Sequence, residues 1–167
     1  MKTIFRQAAL VLDAVCYIVL LVFFPGSIVT LLAGLPVCLW LTNAIHELAH
    51  LFAYKLLGLS WKRLNFSVFS FYPENEKLCC KIQWEQSLFR GECACAYDKS
   101  IPLWKYTVAL LAGIAACAVC AVVCFLIPSP VARCFGIAFS LNTLVNLLPP
   151  ANHDLKILKS LKRNSAS

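Results

Sequence analysis

Charged residues are scarce in this sequence, and their scarcity argues against an ordinary water-soluble domain. Only 14% of the 167 residues are charged, whereas 60% are hydrophobic and the mean hydropathy is +0.76. A compact soluble domain of this length could not bury so much apolar surface. The charges are clustered, and between the clusters lie four apolar stretches: Ile4–Phe24, Ile28–Leu57, Trp104–Ile127 and Val131–Pro149.

The first stretch also lacks the small-residue cleavage pattern of a signal peptide, and it contains Asp13 near its middle. We therefore interpret it as a retained helix. Each stretch is long enough to cross about 30 Å of hydrocarbon as a helix. The sequence thus predicts one membrane-embedded domain over residues 1–167, a polytopic α-helical membrane protein with four transmembrane helices. A small loop, residues 58–103, would join the second and third helices.

Acidic residues are few, with 8 Asp and Glu against 15 Lys and Arg, so the formal net charge is +7. Eight of the basic residues lie between Lys55 and Lys105, and most of the others lie near the termini. The positive-inside rule therefore predicts a multi-pass protein of the cell membrane with both termini and the loop in the cytoplasm. The basic residues lack an interleaved binding motif, so we expect the lipid bilayer as a partner and no nucleic acid.

The loop carries the alternation of apolar and polar residues that is typical of strands. Two such segments are Leu64–Val68 and Lys77–Trp84, and Pro73–Glu76 reads as the turn between them. A third short strand is expected after Gly91. The sequence therefore predicts a small β-rich cytoplasmic loop whose second strand has one apolar face, formed by Leu78, Cys80, Ile82 and Trp84.

Only three histidines occur in the chain, and two of them belong to the motif His46-Glu47-Leu48-Ala49-His50 within the second apolar stretch. This HExxH spacing puts both imidazoles on one face of a helix, where they can bind one Zn²⁺ ion. Glu47 would then lie beside the metal, placed to accept a proton from water. The simpler alternative is a polar patch that stabilises helix packing, but buried ionisable residues in membranes are usually functional.

A third ligand is expected just after the fourth stretch, where Pro149 and Pro150 break the helix. Both His153 and Asp154 are available there, since imidazole and carboxylate both bind zinc. Asp154 could instead be an interfacial carboxylate near Lys156 and Lys159. The residues themselves leave these alternatives open.

The chain resembles the site-2 protease family of intramembrane zinc metalloproteases over roughly residues 28–157. The resemblance rests on the HExxH motif, on Asn146-Leu147-Leu148-Pro149 followed by Asp154, and on Ala112-Gly113 in the intervening stretch. The family proline and asparagine are replaced by Ile114 and Cys117, and the glycine after the aspartate by Leu155. The loop is too short for the PDZ domain that some members carry, so we expect a minimal member without a PDZ or other appended domain. The resemblance implies Asp154 as the third ligand.

The resemblance also implies catalysis by Glu47 and hydrolysis of peptide bonds near the cytoplasmic side of the membrane. The expected substrate is a transmembrane protein or a hydrophobic peptide. We predict substrate contacts from Gly113, Asn142 and Asn146; packing between helices explains the two asparagines equally well. Asp13 could approach the site, although a hydrogen bond to a neighbouring helix is the preferred interpretation.

Ten cysteines divide between the apolar stretches and the loop. Those in the stretches are expected to act as small apolar residues. The four loop thiols could bind a second zinc, but they lack the usual two-residue spacing, so one Zn²⁺ is predicted. Two alternatives to a protease remain. One is an inactive zinc-binding adaptor that grips transmembrane segments, and the other is a small metal transporter, for which Glu47 has no evident use.

Overall fold

A computed structural model describes residues 2–24, 27–75, 77–83 and 91–148 of the chain. Within these residues, two pairs of helices flank one antiparallel sheet in the chain order ααββββαα. The helices are α1 (Lys2–Phe23), α2 (Ile28–Leu56), α3 (Leu103–Leu126) and α4 (Pro130–Leu147). The strands are β1 (Trp61–Phe66), β2 (Phe69–Glu74), β3 (Lys77–Ile82) and β4 (Gly91–Cys95).

Local signals explain where the helices begin. Ser27 caps α2, since its hydroxyl accepts the backbone N–H of Thr30 at 3.1 Å. Pro102 immediately precedes α3, and Pro130 is the first residue of α4. Proline is favoured at these positions because its missing N–H would have no helical partner there.

Helix α2 is central, because it packs against α1, α3 and α4 and also against β1 and β4 of the sheet. Its buried side chains follow a four-residue spacing along the helix, and most are small or polar: Thr30, Gly34, Cys38, Thr42, His46, His50 and Tyr54. Its large apolar side chains point away from the protein, among them Val29, Leu32, Leu48, Phe52 and Leu56. The helix is thus polar inside and apolar outside.

The four-span prediction is wrong. Of the described helices, only α2 and α3 are both long and apolar enough to cross a membrane, with mean hydropathies of 1.9 and 2.8. Helix α4 is about 27 Å long, which is shorter than the hydrocarbon core of about 30 Å. The apolar sequence of α4 is also interrupted by three polar residues, Arg133, Asn142 and Asn146.

The sheet has the strand order β3-β2-β1-β4, and all neighbours are antiparallel. A two-residue turn at Ser67 and Val68 joins β1 to β2, with Ser67 at a φ of 55°. The predicted strand Leu64–Val68 is therefore divided, and the predicted turn Pro73–Glu76 overlaps the end of β2. The predicted apolar face of β3 is not buried, since Leu78 and Ile82 are 68% and 47% exposed. Trp84 lies outside the described residues.

The sheet meets the helices through one core cluster. Leu64 of β1 and Cys93 of β4 pack against Tyr54 of α2 and Tyr106 and Ala109 of α3. The Tyr54 hydroxyl also donates to the Cys93 carbonyl at 3.2 Å. These contacts hold β4 beside the last turns of α2, where the HExxH motif lies.

Candidate functional site

The two motif histidines are buried where α2 faces α3, with exposures of 3% for His46 and 2% for His50. Their side chains share one face because four residues make slightly more than one helical turn. The Nε2 atoms lie 3.1 Å apart. The predicted pairing of these imidazoles is therefore present in the structure.

A backbone carbonyl determines the protonation of His50. Its Nδ1 atom lies 2.8 Å from the carbonyl oxygen of Ala109 on α3. Since a carbonyl can only accept, Nδ1 must carry the proton, and the neutral ring presents a lone pair at Nε2. This lone pair is directed toward His46, in the arrangement typical of a metal-binding histidine.

His46 is supported differently, by a side chain. The Sγ atom of Cys117 on α3 lies 3.7 Å from its Nδ1 atom and also 3.7 Å from Oδ1 of Asn142 on α4. Asn142 is joined in turn to Asn146, whose Nδ2 donates to its Oδ1 at 2.9 Å. A polar line therefore runs from α4 through α3 to the first histidine of the motif.

Gly113 closes the site from the side of α3. A Cβ atom at this position would lie 2.6 Å from Nε2 of His50 and 2.7 Å from Cε1 of His46. Only glycine lets the α3 backbone approach both imidazoles this closely. Gly113 was predicted to contact substrate; the structure places it against the two histidines.

Glu47 is 6% exposed and lies on a neighbouring face of α2, toward the sheet. Its side chain packs against Gly91, the first residue of β4, where an added Cβ would come within 2.7 Å of Glu47 Cγ and 2.8 Å of Cδ. The strand therefore begins at the carboxylate. Gly91 was named from the sequence only as the residue before a strand. Its contact with Glu47 could not be predicted, because the only hint in the sequence is that this residue is a glycine.

The remaining predicted residues divide between α4 and the carboxyl-terminal segment. Asn142 is joined to the site through Cys117, and Asn146 also donates to the backbone carbonyl of Asn142 at 2.9 Å. These bonds fit the packing interpretation of both asparagines. Asp154 and its alternative His153 lie outside the described residues. Within the described ranges, no three His, Cys, Asp or Glu side chains form a metal-binding group.

The loop cysteines do not converge on a second site. Cys79 and Cys80 lie on β3 and Cys93 and Cys95 on β4, at opposite edges of the sheet. Two intervening strands separate them by about 14 Å. Burial raises the pKa of the Cys95 thiol, and desolvation followed by the nearby Glu74 carboxylate raises that of Cys79.

Asp13 lies away from the candidate site. Tyr17, one turn further along α1, packs on Gly34 of α2, which places Asp13 about two helical turns short of His46, roughly 12 Å along the helix. Its Oδ2 atom is buried and makes no hydrogen bond within the described part of the chain. The expected hydrogen bond from this atom to a neighbouring helix is therefore not observed there.

No known protein family, curated protein or solved structure matches this chain. The functional argument therefore depends on the geometry of the site.

Proposed function

We propose that this chain is a zinc metalloendopeptidase of the membrane, similar in design to the site-2 proteases. The observation that carries the proposal is the 3.1 Å separation of the His46 and His50 Nε2 atoms in a buried site. Two nitrogen ligands of a tetrahedral zinc ion, each at 2.0–2.1 Å from the metal, lie about 3.3–3.4 Å apart. The existing separation is close to this value.

The donor set fits zinc chemically as well as geometrically. The proton at Nδ1 of His50 leaves its Nε2 lone pair available, and neutral imidazole nitrogen is a preferred zinc ligand. Asp154 is the proposed third ligand, with His153 as the alternative. A fourth position would remain for water, as in other catalytic zinc sites.

Zinc bound here would lower the pKa of a water molecule and polarise the scissile carbonyl. Glu47 follows His46 directly and is buried, so it is placed to accept a proton from the attacking water. It would then return this proton to the leaving amine. Gly91 limits the positions that the carboxylate can take, because the β4 backbone packs on it.

The helices support a membrane location. Helices α2 and α3 are long and apolar enough to span a bilayer, and their outward side chains are large and apolar. Polar residues that face a protein interior within such helices are usually functional. We place the basic segment between them, from Lys55 to Lys105, on the cytoplasmic side. The prediction that both termini share this side depended on four crossings and is not retained.

The proposed substrate is a transmembrane protein or a hydrophobic peptide, and no nucleic acid is involved. Such a substrate must become extended before hydrolysis, and pairing with the edge of a sheet can hold it so. Strand β4 is an edge strand, and its first residue contacts Glu47. An extended segment paired along β4 would therefore lead to the catalytic carboxylate.

The decisive variant is Glu47→Gln, which keeps the size of the side chain and removes the base. We expect it to retain zinc and to cleave a library of co-expressed single-span reporter proteins about 10²–10⁴-fold more slowly than the wild type. Glu92→Gln is the matched control, because Glu92 lies next to Gly91 but pairs with Arg63 at 2.7 Å. Equal cleavage by the wild type and Glu47→Gln would refute the mechanism. No cleavage by either, with zinc bound, would favour the inactive adaptor.

A further inference from the structure

Cys117 is the least expected polar group at the site. It is fully buried on α3 and contacts His46 on α2 and Asn142 on α4. Its sulfur lies against Nδ1 of His46, whereas the proposed metal would bind Nε2 on the opposite side of the ring. Cys117 is therefore not placed to bind the same metal ion. Its contribution must therefore act through the histidine.

The directions of the hydrogen bonds follow from the donors available. Oδ1 of Asn142 already accepts from Nδ2 of Asn146, and an amide oxygen can only accept. The Cys117 thiol therefore donates its hydrogen to this oxygen. In the metal-free chain the 3.1 Å contact between the two Nε2 atoms needs one proton, and because Nε2 of His50 is the acceptor, Nε2 of His46 carries it. A metal ion bound at Nε2 would displace this proton, Nδ1 would then carry the ring proton, and the sulfur lone pairs of Cys117 are placed to accept it.

We propose that Cys117 is a positioning residue that orients His46 and stabilises the Nδ1-protonated ring that metal binding at Nε2 requires. This role rests on the proposed function of the site. The ring of His50 is held by the Ala109 carbonyl, 2.8 Å from its Nδ1 atom. The ring of His46 is held by the Cys117 thiol, which is a weaker acceptor and lies 3.7 Å from its Nδ1 atom. His46 is therefore the histidine more easily displaced, and its retention of metal depends on the line from Asn146 through Asn142 and Cys117.

The test compares Cys117→Ala with Cys117→Ser in the full chain, purified in detergent and loaded with Co²⁺ or Zn²⁺. Loss of an outer partner of a metal-binding histidine typically weakens metal binding by about 10–100-fold. We expect Cys117→Ala to lose about tenfold, and Cys117→Ser to restore most of this, because a hydroxyl can both donate and accept. Cys134→Ala is the matched control: it removes an equally buried thiol from α4 and should leave the affinity unchanged.

Two spectroscopic measurements separate positioning from other roles. The visible spectrum of the cobalt form should change in Cys117→Ala and return in Cys117→Ser, and the wild type should show no sulfur-to-cobalt charge transfer. Such a band, lost in Cys117→Ala, would make Cys117 a ligand and overturn the proposal. Equal metal loss in Cys117→Ala and Cys134→Ala would also overturn it, since general loosening of the helices would then explain the effect.

Metal titration separates the failure of this role from the failure of the proposed function. Wild-type protein that binds no metal would overturn the proposed function and this role with it. Wild-type protein that binds metal, with an unchanged affinity in Cys117→Ala, would refute the positioning role alone.

Discussion

Two groups of buried polar side chains lie along α2, and only one of them has the geometry of a site. The imidazole site comprises His46, Glu47 and His50, enclosed by Gly113 and Cys117. The thiol cluster comprises Cys38 and Cys134, packed together with Ala138 about two turns nearer the amino end of α2. Both thiols are fully buried, as deeply as either histidine. Burial alone therefore does not distinguish the two groups.

The difference lies in where lone pairs point. In the imidazole site, His50 uses Nδ1 to bond a carbonyl and is left with a lone pair facing His46. In the thiol cluster, Cys134 donates to the carbonyl of Leu31 at 3.5 Å. This bond gives the Leu31 carbonyl a donor and joins α4 to α2. The convergence of two imidazole nitrogens, more than polarity within an apolar helix, is therefore the basis on which we propose a metal site. Four predictions test this contrast.

The largest effect is expected from His46→Ala or His50→Ala. Either change removes one of the two proposed imidazole ligands, so we expect the purified protein to lose bound zinc almost completely, as measured by elemental analysis. Cys38→Ala, which removes a buried polar group from the same face of α2, should retain the wild-type zinc content. Retention of full zinc by both histidine variants would place the metal elsewhere.

The next largest effect is expected from Gly113→Ala. The new methyl group would lie 2.6 Å from Nε2 of His50, so α3 must move away from α2 and stretch the bond between His50 Nδ1 and the Ala109 carbonyl, or the imidazoles must rotate out of their present geometry. We expect loss of most zinc binding and destabilisation by about 1–3 kcal/mol in thermal unfolding. Gly136→Ala on α4 is the control, because its Cβ would meet only the Phe125 ring, at 3.0 Å. It should leave zinc binding intact.

Gly91→Ala should separate activity from metal binding. The added methyl would displace the Glu47 side chain, to which its three nearest atoms all belong, so zinc content should persist while reporter cleavage falls. We expect a loss smaller than that of Glu47→Gln, because the base is displaced and not removed. Ala94→Gly changes one methyl group on the opposite face of β4 and should leave cleavage unchanged. Normal cleavage by Gly91→Ala would mean that Glu47 does not depend on the strand.

The smallest functional effect is expected in the thiol cluster. Cys134→Ala should lower the free energy of unfolding by about 1 kcal/mol, the usual size for a conservative buried change, and should alter neither zinc content nor cleavage. Thermal unfolding and elemental analysis on the same preparation would measure both. A loss of zinc in this variant would break the contrast between the two groups.

The helix boundaries could be predicted within a few residues, because long apolar stretches between charges define them. Which of these helices are suited to span a membrane could not be predicted. The prediction counted apolar length alone, and it treated α4 as a span although Asn142 and Asn146 use its inner face for polar contacts. Among the helices that the structure describes, only α2 and α3 meet the length and hydropathy that spanning requires.

The strands were harder to predict because two local signals misled. Ser67 adopts a left-handed conformation that is unusual for a serine, so the β1–β2 turn resembled a continuous strand. Pro73 suggested a turn, yet it lies within β2, which is not an edge strand, and pairs with Leu78 of β3. Alternation in β3 predicted one apolar face, and the structure leaves its side chains Leu78 and Ile82 exposed.

The motif histidines could be predicted from spacing, because the helix alone determines that residues 46 and 50 share a face. Their partners could not, since the Ala109 carbonyl and the Cys117 thiol come from α3, about 60 to 70 residues away. The only sequence signal for Cys117 was that it occupies a position where the site-2 protease family has an asparagine. Gly113 was selected, but for substrate contact; its closeness to both imidazoles depends on how α3 packs.

X-ray absorption at the zinc edge of the wild-type protein, purified in detergent and analysed for metal content, tests the central claim most directly. We predict one zinc per chain with two imidazole nitrogens at about 2.0–2.1 Å and the remaining positions filled by oxygen, or by a third imidazole if His153 replaces Asp154. Protein that cannot be loaded with zinc, or a zinc ion surrounded by sulfur at about 2.3 Å, would contradict the assignment of His46 and His50 as ligands.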